Sequence, residues 1–159
     1  MSFMLLGILN SQAAGGDLSA YDLLETTTLS SSASQISFTG LDTYSDYQHL
    51  QIRMSISALS EWYLAPAIRF NNDTSTTTSG HWLTGNGSSL SSNDLLSQSY
   101  SYLAGAGDDI YPSAIVLDVL DYSSPNKNTT TRAFSGVAGD YIEIGLYSTL
   151  YPSTNAITS

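Results

Sequence analysis

The stretch His49-Leu50-Gln51-Ile52-Arg53-Met54-Ser55-Ile56-Ser57-Ala58-Leu59 decides the fold class. Leu50, Ile52, Met54, Ile56 and Ala58 alternate with Gln51, Arg53, Ser55 and Ser57. A β-strand turns successive side chains to opposite faces, so this period of two gives one apolar and one polar face. Apolar residues three and four apart, which would mark an amphipathic helix, do not fit the segment.

Working outward, residues 114–120 are nearly all apolar and read as a central strand covered on both faces. Residues 21–29 and 35–41 flank a Ser-rich turn at 30–34 and read as a hairpin. Residues 63–70 read as a strand whose first half Pro66 demotes to an edge or bulge, because proline brings no N–H to a ladder. A polar loop over 71–80 leads to a brief strand at 81–84, closed by Asn86-Gly87, a strong hairpin-turn dipeptide. The polar run 88–97 reads as a loop with one short helical turn near Asn93. Residues 100–104, 129–134 and 141–147 complete the strands. About nine short strands without an amphipathic helix predict an all-β fold. The expectation is a single-domain antiparallel β-sandwich, jelly-roll-like, over 17–159, with an up-and-down barrel as second choice. Residues 1–16 form an extended apolar N-terminal peptide.

Charged residues are only 11% of the 159, while hydrophobic residues are 42%. Ordinary soluble domains carry about 25% charged residues, so solubility falls to hydroxyls, with 28 Ser and 16 Thr. Eleven tyrosines argue against disorder. Fourteen acidic against four basic residues give a net charge of -10, which repels a phosphate backbone and disfavours nucleic acid as a partner. Cysteine is absent, so there is no disulfide framework and no Cys-ligated metal site.

Phe3, Met4, Leu5, Leu6, Ile8 and Leu9 make a short apolar run ending before Gly15-Gly16. No Lys or Arg precedes it, unlike a signal peptide, and seven residues are too few to span a bilayer. It reads as a docking peptide that packs on another chain, the alternative being that it tucks under its own domain.

Enzymatic chemistry finds little footing. His49 and His81 belong to no metal-ligand spacing, and a GxSxG nucleophile motif is missing. Asp118 and Asp121 are an odd number of residues apart, so a strand sends them to opposite faces, and ion pairs with Arg53, Arg69 or Lys127 are the simpler expectation. Asn71-Asn72-Asp73 and Gly107-Asp108-Asp109 are loosely like calcium loops but lack EF-hand spacing. The sequence therefore predicts no catalytic residue, cofactor or metal. Trp62, Trp82, Tyr100, Tyr102, Tyr111 and Tyr151 fall near strand ends and loops, where rings can anchor an interface or stack on a sugar.

Four segments taken in order carry a resemblance: 47–53 (YQHLQIR), 68–74 (IRFNNDT), 116–122 (VLDVLDY), and Asn126-Lys127 leading to 132–136 (RAFSG). The chain from about Tyr21 onward resembles small virion proteins of tailed phages, common among marine and cyanobacterial phages, and its apolar leader is similar to theirs. The resemblance implies a jelly-roll-like structural protein of the particle, decorating the head or associated with the tail or its fibres, without an active site. Such proteins look as if they continue past 156–158 with a further strand pair, so closing strands are expected from a neighbour or from further sequence. The expected function is passive. The protein would assemble with itself, as a homotrimer, and with other virion proteins to link neighbouring subunits on the virion, with no membrane partner. The alternative is a carbohydrate-binding module that recognises a host-surface glycan through Trp62, Trp82, Tyr100, Tyr102 and Tyr111.

Overall fold

The computed structural model describes residues 5–9, 21–57, 66–75, 77–103, 111–137 and 142–159. Ten strands occur among them: β1 Leu5–Leu9, β2 Leu23–Thr28, β3 Leu50–Ile56, β4 Ala67–Ile68, β5 Thr78–Gly85, β6 Leu90–Gln98, β7 Ser101–Tyr102, β8 Ser113–Leu120, β9 Thr129–Val137 and β10 Glu143–Tyr151. A single 3-10 turn, Leu41–Tyr44, is the only helical element among the described residues. The fold is all-β, as the alternating pattern predicts.

Eight strands form one antiparallel sheet in the order β2-β1-β3-β8-β9-β10-β5-β6, and β4 pairs with β7 in a separate two-stranded sheet. The meander β8-β9-β10 is its centre. β3 joins one side of that centre and the β5-β6 hairpin the other.

Burial alternates along the central strands. In β8, Ser113, Ile115, Leu117 and Val119 are buried; in β9, Thr129, Thr131, Ala133, Ser135 and Val137; in β10, Glu143, Tyr147, Thr149 and Tyr151. These side chains share the inner face. Leu41, Phe70, Leu103, Tyr122 and Ile157 pack onto it from the connections and the C-terminal tail. Leu50 and Ile52 of β3 are buried, and Met54 and Ile56 pack partly buried against the same core. The apolar residues of 50–56 therefore share the core face as the sequence predicts, but the opposite face is not uniformly wet, since Gln51 on it is buried too; Ala58 lies outside the described residues.

Several expectations need correction. The hairpin of 21–29 with 35–41 does not form: β2 pairs with β1, and residues 35–40 run without a ladder while Ile36 and Phe38 pack on the core. The helical turn near Asn93 is instead the middle of β6, a nine-residue strand paired to β5. Its polar composition reflects an exposed sheet edge, where few side chains need burial. Residues 114–120 are not covered on both faces. Ala114 is exposed, and Val116, Asp118 and Leu120 are only partly buried.

β1 lies between β2 and β3, with Leu6 opposite Thr27 on one side and Met54 on the other. Leu5, Leu6, Ile8 and Leu9 thus occupy ladder positions in the sheet, whereas Phe3 and Met4 lie outside the described residues.

Candidate functional site: the outer face of the sheet

The outer face is built by the residues that the core leaves out. Register pairs Val116 of β8 with Phe134 of β9, Phe134 with Leu146 of β10, and Leu146 with Leu83 of β5. Four apolar side chains thus line up across four adjacent strands. Phe134 and Leu146 are each 52% exposed and Leu83 is 45% exposed. The next row holds Ala114, Gly136, Ile144, Gly85 and Leu90, with Ile144 and Leu90 also exposed. Single exposed apolar residues are normal on any protein, but a contiguous band of them marks an interaction surface. Fully burying a Leu, Ile or Phe is worth about 1.5–3 kcal/mol, so covering these half-exposed side chains releases a sizeable part of that at each.

A polar row follows on the other side of the apolar one: Gln51, Asp118, Arg132, Ser148, His81 and Asp94, in register from β3 to β6. Gln51 organises its β3 end. The Gln51 Nε2 amide donates to Asp118 Oδ1 at 2.8 Å, and Gln51 Oε1 accepts from Arg53 Nε at 2.8 Å. The Arg53 guanidinium lies 5.5 Å from the centroid of the Tyr21 ring. Leu120, Thr130, Leu150 and Ser79 form a fourth row.

The carboxylates singled out in the sequence serve local structure. Asp118 belongs to the polar row. Asp121 sits in the turn after β8 at φ 55 and meets Lys127 Nζ at 3.2 Å. Its Oδ1 also accepts from Gln48 Nε2 at 2.9 Å, and its amide donates to His49 Nδ1 at 2.9 Å. The hydrogen bond from Gln48, then the bond and charge of Lys127, hold its carboxyl below the ordinary value of 3.8. Asp73 accepts from the Ser75 amide at 2.8 Å and from the Tyr151 hydroxyl at 2.9 Å, and its carboxyl is likewise lowered, mostly by the Ser75 bonds. Asn71 binds the C-terminal tail. Asn71 and Asp73 thus spend their polar groups within the chain, and Gly107, Asp108 and Asp109 lie outside the described residues. Among the described residues, no three His, Cys, Asp or Glu side chains gather as a metal site.

The aromatic candidates separate. Tyr100 and Tyr102 come together edge to face, ring centroids 4.9 Å apart, with their hydroxyls 2.9 Å apart. Tyr102 also packs against the core, as does Trp82, which stands opposite Tyr147 on the inner face. Trp82 is thus no strand-end ring, because β5 continues on both sides of it. Tyr151 is buried against Phe70, centroids 5.5 Å apart. Tyr111 is exposed just ahead of β8, and Trp62 lies outside the described residues. Tyr100 also borders a cavity of ≈ 490 Å³ between β3 and the segment 33–39, with Ile36, Phe38, Leu50, Ile52 and Ile68 on its walls.

Phe134, Leu146, Ile144 and Leu83 are not among the residues that the sequence marks as candidates. The available signal was apolar residues in both phases of one strand, as in Ile144 and Leu146 interleaved with the buried Tyr147 phase. Comparison with protein-family models, curated proteins and solved structures found no match to this chain.

Proposed function

We propose that this chain is a non-enzymatic structural protein of a tailed-phage virion, displayed on head or tail, where it links neighbouring subunits. The observation that carries the reading is the broad apolar outer face of β8-β9-β10-β5. It sets rows of exposed apolar side chains beside one polar row, and interfaces are made from such surfaces. The composition supports the same reading. A hydroxyl-rich surface with few charges keeps the exposed chain soluble while leaving its sheet face free for assembly. The jelly-roll-like sandwich belongs to this proposal: the core layer of β4-β7 and the tail covers one face of the large sheet, and assembly covers the other. The resemblance of 47–53, 68–74, 116–122 and 132–136 to small phage virion proteins supplies the particle.

Peptide mass spectrometry of purified particles from the phage that encodes the chain tests the proposal. The expected result is the protein in the particle fraction at a fixed copy number set by particle symmetry. Its presence only in the soluble fraction of the lysate would overturn it.

A further inference from the structure

We infer that the outer face is closed by a second copy of this chain, packed about a two-fold axis that runs along the row Val116, Phe134, Leu146 and Leu83. The inference deepens the structural reading above by naming the partner of that face.

Charge is the first argument. The chain carries -10, yet the four rows across β8, β9, β10, β5 and β6 hold only Asp118, Asp94 and Arg132 as charged residues, a formal -1 with His81 neutral. Two copies of so acidic a protein repel, and this face carries little of the charge that makes them do so. A strongly basic partner would find little to pair with here.

Shape is the second. An axis through Phe134 sets each residue of β9 opposite the one equally far on the other side of Phe134 in the second copy. Arg132 then lies over Gly136, at which a Cβ would meet nothing within 4 Å, so the long side chain has room. In β10, Ser148 lies over Ile144 in the same way, and Phe134 and Leu146 meet their own counterparts at the centre. No like charges are opposed. This is the self-complementarity that an isologous contact requires, and a three-fold ring would not present the face to itself.

Area is the third. Five strands about 4.8 Å apart, each crossing the face over some seven residues at about 3.4 Å per residue, give roughly 570 Å² in projection. Side chains standing off the sheet raise the accessible area towards the roughly 800 Å² per partner of a standard stable interface. Sheets stack about 10 Å apart in this manner.

Sedimentation velocity on the full chain, across low to high micromolar concentrations, reads the association directly. The wild type is expected to be a dimer or an even-numbered assembly of dimers. Phe134→Glu and Phe134→Lys should each raise the dissociation constant at least about 100-fold with an unchanged circular dichroism spectrum, because the side chain is half-exposed in the single chain. An equimolar mixture of the two variants should re-associate, since Glu and Lys would face each other across the axis. Leu23→Glu, exposed on the far edge strand β2, should leave association unchanged.

A monomeric wild type throughout, or association untouched by both Phe134 variants, would overturn the inference. So would a mixture no tighter than either variant alone. If a Phe134 variant does not fold, Leu146→Glu and Leu146→Lys provide the same test. A monomer that is still found in particles would leave the virion reading standing and assign the face to a different virion protein. A dimer absent from particles would do the reverse.

Discussion

Asn71 and Thr158 are 87 residues apart in the chain, yet the Thr158 amide donates to Asn71 Oδ1 at 2.8 Å. The same oxygen accepts from the Ser159 amide at 3.3 Å, while Asn71 Nδ2 donates to the Ala156 carbonyl at 3.1 Å. This side chain works with the backbone bonds from the Asn71 amide to the Ser159 carbonyl at 2.8 Å and from the Leu41 amide to the Thr158 carbonyl at 3.1 Å to fix the tail that carries Ile157 into the core, where Ile157 also donates its amide to the Tyr122 carbonyl at 2.8 Å. Asn is suited to the task, since its φ of 53 is a left-handed conformation that Asn tolerates.

Asn71→Ala removes the clasp, strains the left-handed position and leaves tail amides without their acceptor. It is expected to lower unfolding stability by about 1–3 kcal/mol in urea denaturation. Asn71→Asp keeps an acceptor at Oδ1 and should lose less. Equal losses for both variants would show that the Nδ2 bond to Ala156 dominates.

Gly145 lies under the ring of Tyr147. A Cβ there would stand 2.6 Å from Tyr147 Cε2 and 3.0 Å from Ser135 Oγ. Gly145→Ala must push aside a buried ring at the centre of the sheet, and overpacking of this kind costs about 1–3 kcal/mol. Gly136→Ala, on the opposite face of the neighbouring strand with open space around it, should be close to neutral. Thermal unfolding of the two variants side by side checks the assignment of the inner and outer faces.

The period of two in Leu50, Ile52, Met54 and Ile56 made β3 and its core face legible, because burial on one side imposes that pattern directly. The turn at Asn86-Gly87 was equally legible: Gly87 takes φ 88, and Asn86 Oδ1 accepts from the Ser88 and Ser89 amides. β6 was not, since an edge strand with exposed side chains carries no hydrophobic period to read. The outer apolar row was also hidden. Val116, Phe134, Leu146 and Leu83 become neighbours only through the registers of four strands, and nothing local in the chain specifies that β10 pairs with β5. Trp82 is hard to place for a related reason: its strand begins at Thr78, three residues before the 81–84 span that the pattern marks, which turns an apparent strand end into a strand centre.

Asp73 links the loop before β5 to the last strand through the Tyr151 hydroxyl. Its carboxyl is lowered from 3.8 chiefly by the Ser75 bonds, so the folded state favours the carboxylate. The stability this supplies is complete above the ordinary value and is lost as the pH falls through the lowered one. Acid titration followed by circular dichroism should therefore show Asp73→Asn less stable than the wild type at pH 7, with the gap closing below pH 3.8. A gap that is constant with pH would assign the effect of the substitution to geometry alone.

Tyr122 supplies the corresponding test at high pH. The residue is 1% exposed, and its hydroxyl donates to the Tyr44 carbonyl and, at 3.4 Å, to the Leu41 carbonyl, tying the turn after β8 to the 3-10 turn. Burial, followed by the nearby Tyr47 and Asp46, pushes its phenol from 10.0 up to about 12. An unfolded chain ionises that phenol near 10.0 while the folded chain keeps it protonated, so this contribution is complete below pH 10.0 and is lost as the pH rises to about 12. Tyr122→Phe retains the ring but leaves the Tyr44 and Leu41 carbonyls without their donor, for an expected loss of about 1–3 kcal/mol at pH 7. Because phenylalanine does not titrate, the variant should lose less further stability than the wild type between pH 10 and pH 12. Urea midpoints measured at pH 7, 10 and 12 for both proteins separate the two effects. Parallel declines would mean that the alkaline loss comes from other tyrosines, Tyr151 first, since burial and its bond to Asp73 raise its phenol too.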